Sequence, residues 1–229
     1  NLDLSLHSVE EILTTLLDIS RFDAGAMKTE MSVFPMSDLF DQLRVEYAPM
    51  AQAAGLDLIF VHCSLHVRSD RRLLRRLLQN LISNGIKYTS EGKVLVGCRR
   101  RGSQLRVSVA DTGPGIPDDM KKVVFREFER LASSSRTAPG LGLGLSIVER
   151  ISKALDHPVE LQSAARKGAL FSVMVPVANA TLIHLNAGSA DVYKTVQPLY
   201  GMRILGVDNE PNILQGLDAL LAGWGCIFT

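Results

Sequence analysis

Several features that define other protein classes are scarce or missing in this chain of 229 residues. It has three cysteines, Cys63, Cys98 and Cys226, without a CxxC pair, which argues against a disulfide framework and a zinc site. The apolar run around residues 169–178 is far short of the roughly 20 residues that span a bilayer. With 25 basic and 24 acidic residues, the chain as a whole lacks the strongly basic surface of nucleic-acid binders. We therefore expect a protein of a reducing compartment, the cytoplasm.

What is present is an alternation of helical and strand patterns. Apolar residues at intervals of three and four, together with capping residues, predict helices at 1–25, 37–54, 71–88, 118–129 and 146–155. Alternating or β-branched runs predict strands at 32–34, 56–61, 94–98, 105–110, 159–162 and 170–175. Asp70 is the predicted N-cap of the third helix. The predicted buried face of that helix is Leu74, Leu77, Leu78, Leu81 and Ile82.

The C-terminal part of the chain has a different composition. Residues 179–200 are rich in Ala, Asn, Thr, Ser and Gly without a clear period, which is typical of a linker. Beyond the linker, short patterns predict a strand at 203–207, a helix at 211–221 and a strand at 224–228.

Three polar side chains share one side of the helix predicted at 71–88. Asn80, Asn84 and Lys87 are spaced four and three residues apart, away from the leucine face. An amide oxygen is a suitable ligand for Mg²⁺, and an ammonium group suits phosphate oxygens. The alternative interpretation is an ordinary solvated helix face.

An acidic residue followed by glycines ends the strand predicted at 105–110. Gly113 and Gly115 let the backbone come close to a flat ring, while the carboxylate of Asp111 can accept a hydrogen bond from an exocyclic amine. The alternative is a simple turn.

Two further segments accompany these. Gly140, Gly142 and Gly144 precede a helix, whose free N–H groups and positive end suit an anion. No Gly-Lys-Ser/Thr sequence follows, so this is not a Walker loop. Phe125 and Phe128 come just before a Ser-rich loop, and such aromatic residues are more often part of a core than of a site.

Taken in the order of the sequence, the four segments resemble the N, first glycine, F and second glycine boxes of the sensor histidine kinases. The resemblance covers residues 32–177. These kinases belong to the Bergerat-type ATPase superfamily, together with gyrase and the mismatch-repair ATPases. The resemblance implies an α/β (α+β) two-layer sandwich with several helices on one face of a mixed sheet. It also implies that the domain binds ATP and Mg²⁺ and that the γ-phosphate is transferred to a histidine.

The resemblance assigns roles to single residues. It implies that Asn84 holds Mg²⁺ with Asn80 beside it and that Lys87 contacts the phosphates. Tyr88 would pack against the base, and Asp111 would bind the adenine amino group. The implied catalytic residues are Asn80, Asn84, Lys87 and Arg130, the last as a γ-phosphate contact. The rest of the implied nucleotide pocket consists of Gly113, Gly115, Ile116, Phe125, Phe128, Gly140, Leu141, Gly142, Leu143 and Gly144.

The segment before this domain resembles another part of such kinases. Residues 1–28 are similar to the second helix of a dimerisation and histidine-phosphotransfer hairpin. The first helix, which carries the acceptor histidine, is absent, and the surroundings of His7 do not match it. We therefore expect residues 29–178 to be the ATP-binding catalytic domain and the intact protein to form a homodimer through the hairpin. We expect this fragment not to phosphorylate itself, and any membrane contact to lie in regions outside it.

Residues 201–229 resemble the start of a response-regulator receiver domain. Asp208 and Glu210 match its acidic pocket, whereas Asn209 replaces the usual second aspartate, and the strand with the phosphorylated aspartate is absent. So short a segment cannot bury a receiver core, so we expect it to be inert. The resemblance as a whole implies a hybrid kinase truncated at both ends, with a receiver domain as its partner.

Three alternatives stay open. The sister ATPases use a glutamate where Asn80 stands, and loss of a general base costs about 10²–10⁴-fold, which favours a kinase over an ATPase. A second alternative is a pseudokinase that binds nucleotide as an interaction module. A third is nucleic-acid binding by a local basic cluster, for which a solvated face or an acidic partner is the preferred interpretation. This cluster consists of Arg68, Arg71, Arg72, Arg75, Arg76, Arg99, Arg100 and Arg101.

Overall fold

The computed structural model describes residues 28–126, 142–165, 167–178, 202–204 and 227–228. The chain divides into two compact units, Asn1–Asn179 and Ala180–Thr229, and each is considered by itself. Four predicted segments of the two ends of the chain lie outside the described residues: the helix at 1–25 with His7, the linker at 179–200, the helix at 211–221 and the acidic pocket at 208–210.

The described part of the first unit contains three α-helices and seven strands. The helices are α1 (Met36–Ala53), α2 (Arg71–Tyr88) and α3 (Gly144–Leu155). The strands are β1 (Met31–Pro35), β2 (Asp57–Phe60), β3 (His66–Asp70), β4 (Lys93–Arg101), β5 (Gln104–Asp111), β6 (Val159–Ser163) and β7 (Ala169–Pro176).

The main sheet has five strands in the order β2-β4-β5-β7-β6. The pair β2–β4 is parallel and the other pairs are antiparallel, so the sheet is mixed. Every second residue of β5 is buried, namely Leu105, Val107 and Val109. The buried apolar residues of β4 and β7 also follow a period of two, although Gly97 and Ser172 are buried as well. This period of two places one apolar face of the sheet against the helices, as the sequence predicts.

Helix α2 packs against both other helices and against the centre of the sheet. Asp70 caps it, because its Oδ1 accepts hydrogen bonds from the N–H groups of Arg72 (2.9 Å) and Leu73 (3.1 Å). The predicted cap is therefore confirmed. The predicted buried face is confirmed as well: Leu74, Leu77, Leu78, Leu81 and Ile82 are at most 2% exposed.

A second, two-stranded sheet was not predicted in full. Strand β1 pairs antiparallel with β3, from Met31 opposite Asp70 to Pro35 opposite His66. The sequence of β3 contains a single aliphatic residue, Val67, so it lacks the alternating pattern that marks a strand. Its extended conformation comes from pairing with β1.

The prediction of a helix at 118–129 is wrong for residues 118–126, which the structure describes. A 3-10 helix, Asp118–Met120, is followed by turns as far as residue 126. The β-branched pair at 123–124 has low helix propensity. Burial of Val124, together with packing of Phe125 against the ring of Phe171, holds the chain in turns instead.

In the second unit, β8 (Arg203–Ile204) pairs in parallel with β9 (Ile227–Phe228). These two short strands lie within the strands predicted at 203–207 and 224–228. Across the described parts of both units, no helix is long and apolar enough to cross a lipid bilayer.

Candidate functional site

Two side-chain amides of α2 lie at the beginning of α3. The Asn80 Nδ2 group donates a hydrogen bond to the backbone oxygen of Arg76 (2.8 Å), which fixes the orientation of its amide. A Cβ added at Gly144 would lie 3.0 Å from Asn80 Oδ1 and 3.6 and 3.7 Å from the amide nitrogen and oxygen of Asn84. The structure thus brings together residues of two motifs that are about sixty positions apart in the sequence.

The beginning of α3 is suited to an anion. Its N-cap residue, Leu143, makes no side-chain capping hydrogen bond, and the preceding Gly142 has a φ of +73°. The first N–H groups of an uncapped helix have no intrahelical acceptor, and they carry the positive end of the helix dipole. Amide oxygens that can bind a cation therefore lie beside N–H groups that can bind phosphate oxygens.

Lys87 lies near the C-terminal end of α2. Its Nζ is 5.4 Å from the centre of the Tyr88 ring, within the range of a cation–π contact. Both side chains are half-buried. The ammonium is thus carried by the same helix as the two amides, less than one turn beyond Asn84.

Asp111 ends β5 in a partly buried position. Its Oδ1 accepts hydrogen bonds from the N–H of Gly113 (2.9 Å) and the N–H of Ala169 (3.2 Å). Burial raises the pKa of this carboxyl, and the two N–H donors oppose that effect. Among the described residues both hydrogen bonds fall on Oδ1, which leaves Oδ2 to accept from a ligand.

Glycines allow Asp111 to approach the end of α2. A Cβ added at Gly85 would lie 3.8 Å from the Asp111 Cβ and 3.2 Å from Val94. A Cβ added at Gly113 would lie 3.1 Å from the backbone oxygen of Tyr88 and 3.1 Å from the hydroxyl oxygen of Thr89. The helix that carries the amides therefore also contacts the acidic end of the site.

Thr89 is a site residue that sequence reasoning missed. Its side chain is buried, and its Oγ1 has no hydrogen-bond partner among the described residues. A buried hydroxyl without a partner is unfavourable by roughly 1–3 kcal/mol, so one beside an acidic residue points to a ligand or a water molecule. Its position directly after Lys87 and Tyr88 is the signal that could have found it.

The first glycine segment rests on the turn between β6 and β7. Gly115 has a φ of +71°, and the N–H of Ile116 donates to Ser163 Oγ (2.8 Å). Ser163 Oγ donates to the backbone oxygen of Gly168 (2.6 Å), whose N–H donates to the oxygen of Gly113 (3.1 Å). Gly168, also missed, has a φ of +74°, and a Cβ there would overlap the backbone oxygen of Asp111. Both positions therefore require glycine.

The other predicted site residues have different surroundings. Phe125 packs edge-on against Phe171, with ring centres 6.3 Å apart, and Leu143 is buried in the core. Both side chains therefore contribute to the hydrophobic core. Phe128, Arg130, Gly140 and Leu141 lie outside the described residues.

Part of the basic cluster is engaged within the fold. The Arg75 guanidinium forms an ion pair with Glu46 (2.8 Å), and that of Arg71 lies 5.7 Å from the centre of the Phe34 ring. Arg72 lies 3.6 Å from the capping carboxylate of Asp70. These contacts account for the arginines at the start of α2 without a nucleic-acid partner.

Residues 69–179 match the family described as histidine kinase-, DNA gyrase B-, and HSP90-like ATPase. This part of the chain belongs to that family, and it contains the amides, Asp111 and the glycine turns described above. The resemblance predicted from the four motifs is thereby confirmed.

The relatives of the chain are sensor histidine kinases. Hybrid signal transduction histidine kinase C of Dictyostelium discoideum is 28% identical over 240 aligned positions, which cover 98% of this chain and 19% of that protein. The solved catalytic domain of histidine kinase ThkA is 26% identical and has a TM-score of 0.56, covering 64% of this chain and 97% of that one.

The fold is found in a longer solved kinase as well. Full-length ShkA in complex with AMPPNP has a TM-score of 0.66 and 23% identity, covering 97% of this chain and 46% of that one. The mixed α/β sandwich predicted from the motifs is the fold of these catalytic domains. The present chain spans about a fifth of the length of the Dictyostelium relative.

Proposed function

We propose that residues 29–178 bind ATP with Mg²⁺ and present the γ-phosphate to a histidine on a helical hairpin, as the catalytic part of a two-component kinase. The observation that carries this proposal is the convergence on α2. The amides of Asn80 and Asn84 lie at the start of α3, and Gly85, the residue directly after Asn84, faces Asp111. A nucleotide would extend along this helix between a phosphate end and a base end.

At the base end, Asp111 would accept a hydrogen bond from the adenine amino group. Its Oδ1 is engaged by the N–H groups of Gly113 and Ala169, so the carboxylate is held with Oδ2 available. Tyr88 would pack against the ring, and Thr89 Oγ1 would gain a partner through a water molecule or a ring nitrogen. Guanine carries an oxygen where adenine carries its amino group, so a carboxylate at this point favours adenine.

At the phosphate end, the donor set fits a magnesium nucleotide. Among the described residues no cluster of His, Cys, Asp and Glu could hold a metal ion. The Asn84 amide oxygen would be the protein ligand, and phosphate oxygens and water would complete the octahedral shell that Mg²⁺ requires. Lys87 and the first N–H groups of α3 would bind phosphate oxygens, and Arg130 would contact the γ-phosphate.

Transfer to an imidazole demands mainly positioning and charge neutralisation from these residues. When bound, Mg²⁺ would neutralise charge at the phosphates, where the loose transition state of phosphoryl transfer develops its charge. The amides of Asn80 and Asn84 and the ammonium of Lys87 would hold the γ-phosphate in line with the incoming histidine. Asn80 stands where the related ATPases have their base, and an amide cannot activate water, so hydrolysis would be slow.

The wider arrangement of the protein follows from the same proposal. Residues 1–28 would be a helix of the dimerisation hairpin, so that the intact protein forms a homodimer, and residues 201–229 would begin a receiver domain. A receiver domain would take the phosphoryl group from the histidine. We place the protein in the cytoplasm, because that compartment supplies ATP and keeps thiols reduced. Cys63 and Cys98 of the first unit are free thiols.

The test is phosphotransfer to a separately supplied hairpin that carries an acceptor histidine. With radiolabelled ATP and Mg²⁺, the hairpin should acquire acid-labile, alkali-stable label. Asn84→Asp places a negative charge beside the phosphates and should reduce this label by about 10²-fold. Ser90→Asp, an exposed change of equal charge just beyond α2, should leave it nearly unchanged. Tight ATP binding without label would instead support a nucleotide-binding interaction module.

A further inference from the structure

The five-stranded sheet has a second face, on the side opposite the helices. Leu105, Val107 and Val109 of β5 point into the core, so the residues between them point the other way. Together with their register partners on the neighbouring strands, these residues form two rows across the sheet. One row consists of Ile59, Leu95, Ala110, Leu170 and Gln162, and the other of Val61, Gly97, Ser108, Ser172 and Glu160. We call the surface that these rows form the open face.

The middle of the open face is apolar and partly exposed. Ile59 is 40% exposed and Val61 is 44% exposed, whereas Leu58 and Phe60, which alternate with them, pack against the core. Val61 lies over Gly97, since a Cβ added there would be 3.3 Å from a methyl group of Val61. The first row continues across the sheet with half-buried apolar side chains. An exposed apolar area rimmed by charged residues is typical of an interaction surface.

The end of the open face where β2 and β4 begin is acidic. Asp57 lies opposite Lys93, and Glu91 comes two residues before Lys93; all three are exposed. Together with Gly92 and Thr112 they line a depression of about 510 Å³. Among the described residues, none of the three charged side chains forms an ion pair. Two carboxylates against one ammonium leave this end with a negative charge.

The other end of the open face is basic. Arg99 and Arg101 lie in the last part of β4, and Arg99 is directly opposite Arg106 of β5. Like charges in directly opposite positions destabilise a sheet. The nearest carboxylate is that of Glu160, 3.7 Å from Arg106, whose Nε and Nη2 are buried without a hydrogen-bond partner among the described residues. Three guanidinium groups against one carboxylate leave a positive charge and unsatisfied donors.

We propose that the open face binds the open face of a second copy of this chain, with the strands of the two copies antiparallel. Asp57 is level with Lys93, six residues before Arg99, which is about 20 Å along the strand. A two-fold axis that crosses the strands halfway, at the level of Val96, places Asp57 of each copy over Arg99 of the other. The same axis places Ile59 over Val61. Each contact then occurs twice, as in an isologous dimer.

The distribution of charge favours a second copy over other partners. A uniformly acidic protein, a nucleic acid or an anionic membrane would be attracted to the arginines but repelled by Asp57 and Glu91. A copy turned by 180° satisfies both ends. The small residues Gly97, Ser108 and Ala110 lie near the axis, where two packed sheets approach to about 10 Å. The face measures roughly 20 Å by 20 Å, about half of a standard interface per partner, so the dimer is transient.

This contact is separate from the proposed nucleotide site. Asp111 alternates with Val109 and Val107, so it lies on the helix side of the sheet, as do the amides of α2. A dimer through the open face therefore leaves both nucleotide sites accessible. It also differs from a dimer through the hairpin helix at residues 1–28.

The test is sedimentation velocity of the full chain over about 5–500 μM, with charge reversal at either end of the open face. The acidic-end variant is Asp57→Arg/Glu91→Arg, and the basic-end variant is Arg99→Glu/Arg101→Glu. Each variant alone should associate at least about tenfold more weakly than wild type, because like charges then face each other. An equimolar mixture of the two should associate nearly as well as wild type, since both ends are again complementary.

Two controls accompany these variants. Arg44→Glu/Lys153→Glu makes the same change of net charge as the basic-end variant, at exposed positions of α1 and α3, and should associate like wild type. Titration with Mg²⁺-ATP should give the same affinity for all variants, which shows that the charge reversals leave the fold intact.

Three results would overturn the proposal. The first is a wild-type chain whose sedimentation does not depend on concentration. The second is association that both variants retain, which would place the contact on another surface such as residues 1–28. The third is association that each variant loses and the mixture does not restore, because the open face would then bind something other than its own copy.

Discussion

The backbone of Gly144 lies against the side-chain amide of Asn80. A Cβ at position 144 would approach Asn80 Oδ1 to 3.0 Å, which is closer than ordinary van der Waals contact. The first turn of α3 can therefore reach the amides of α2 because residue 144 is glycine. This contact holds the uncapped helix end beside the amides that would bind the metal and the phosphates.

Gly144→Ala should weaken nucleotide binding without weakening the fold. The added methyl group displaces the Asn80 amide, and we expect affinity for Mg²⁺-ATP to fall about tenfold, or about 1.4 kcal/mol. Stability should not decrease, because alanine is the better helix former by about 1 kcal/mol. Calorimetric titration and urea unfolding measure the two quantities. Gly102→Ala is the control for affinity: its Cβ meets no atom within 4 Å, so ATP affinity should not change, although a φ of +60° means that this change should cost stability.

Asp111→Asn should shift the nucleotide preference of the site from ATP toward GTP. The amide oxygen of the substituted side chain can still accept from the two backbone N–H groups that now engage Oδ1, so the NH₂ group takes the place of Oδ2. An NH₂ group repels the adenine amino group and can donate to the guanine oxygen. ATP affinity should fall by about 10–100-fold, the range of a lost hydrogen bond to a charged group, while GTP affinity rises. An unchanged ratio of ATP to GTP affinity would remove Asp111 from the base site, and Asp111→Ala should simply abolish the preference.

Thr89→Val should weaken ATP binding without reducing the stability of the fold. The Thr89 hydroxyl has no hydrogen-bond partner among the described residues, so an isosteric valine should leave stability equal or raise it by up to about 1 kcal/mol. ATP binding should weaken several-fold, because a partner of the nucleotide or of a bridging water is lost. The matched control is Thr112→Val, whose hydroxyl accepts from the N–H of Lys93 (3.0 Å) and whose loss should reduce stability. Equal ATP affinity in wild type and Thr89→Val would mean that this hydroxyl serves no ligand.

His157 should make stability depend on pH. Its Nε2 lies 2.9 Å from Ser69 Oγ in the core, and burial lowers the pKa of the imidazole below its ordinary value near 6.5. The unfolded chain therefore binds a proton more readily, so stability is complete above about pH 6.5 and is lost as the pH falls toward the lowered pKa. The urea midpoint should fall between about pH 7.5 and about pH 5.5. His157→Gln can keep a hydrogen bond to Ser69 but does not titrate, so the same pH change should lower its midpoint less; an equal loss would contradict this assignment.

The residues whose positions were predicted correctly from the sequence are determined by interactions within one helix. Asp70 and the leucines after it define α2 through capping chemistry and a period of 3.6, both of which act within one helix. The polar spacing of Asn80 and Asn84 follows from the same period. The fold of residues 69–179 could be predicted because its four motifs occur in a fixed order.

What sequence reasoning missed depends on contacts between distant segments. Thr89 is significant because Gly113 approaches it, and Gly168 because it lies over the backbone of Asp111. Strand β3 is extended because β1 pairs with it.

The most direct test of the central claim is a calorimetric titration of the full chain with ATP and with GTP, each with and without Mg²⁺. We expect one site per chain, with Mg²⁺-ATP bound at least about tenfold more tightly than Mg²⁺-GTP, since the carboxylate recognises the amino group of adenine. Removal of Mg²⁺ should weaken ATP binding, because the amide of Asn84 would lose the ion that joins it to the phosphates. Equal affinity for the two nucleotides, or no binding of either, would contradict the account.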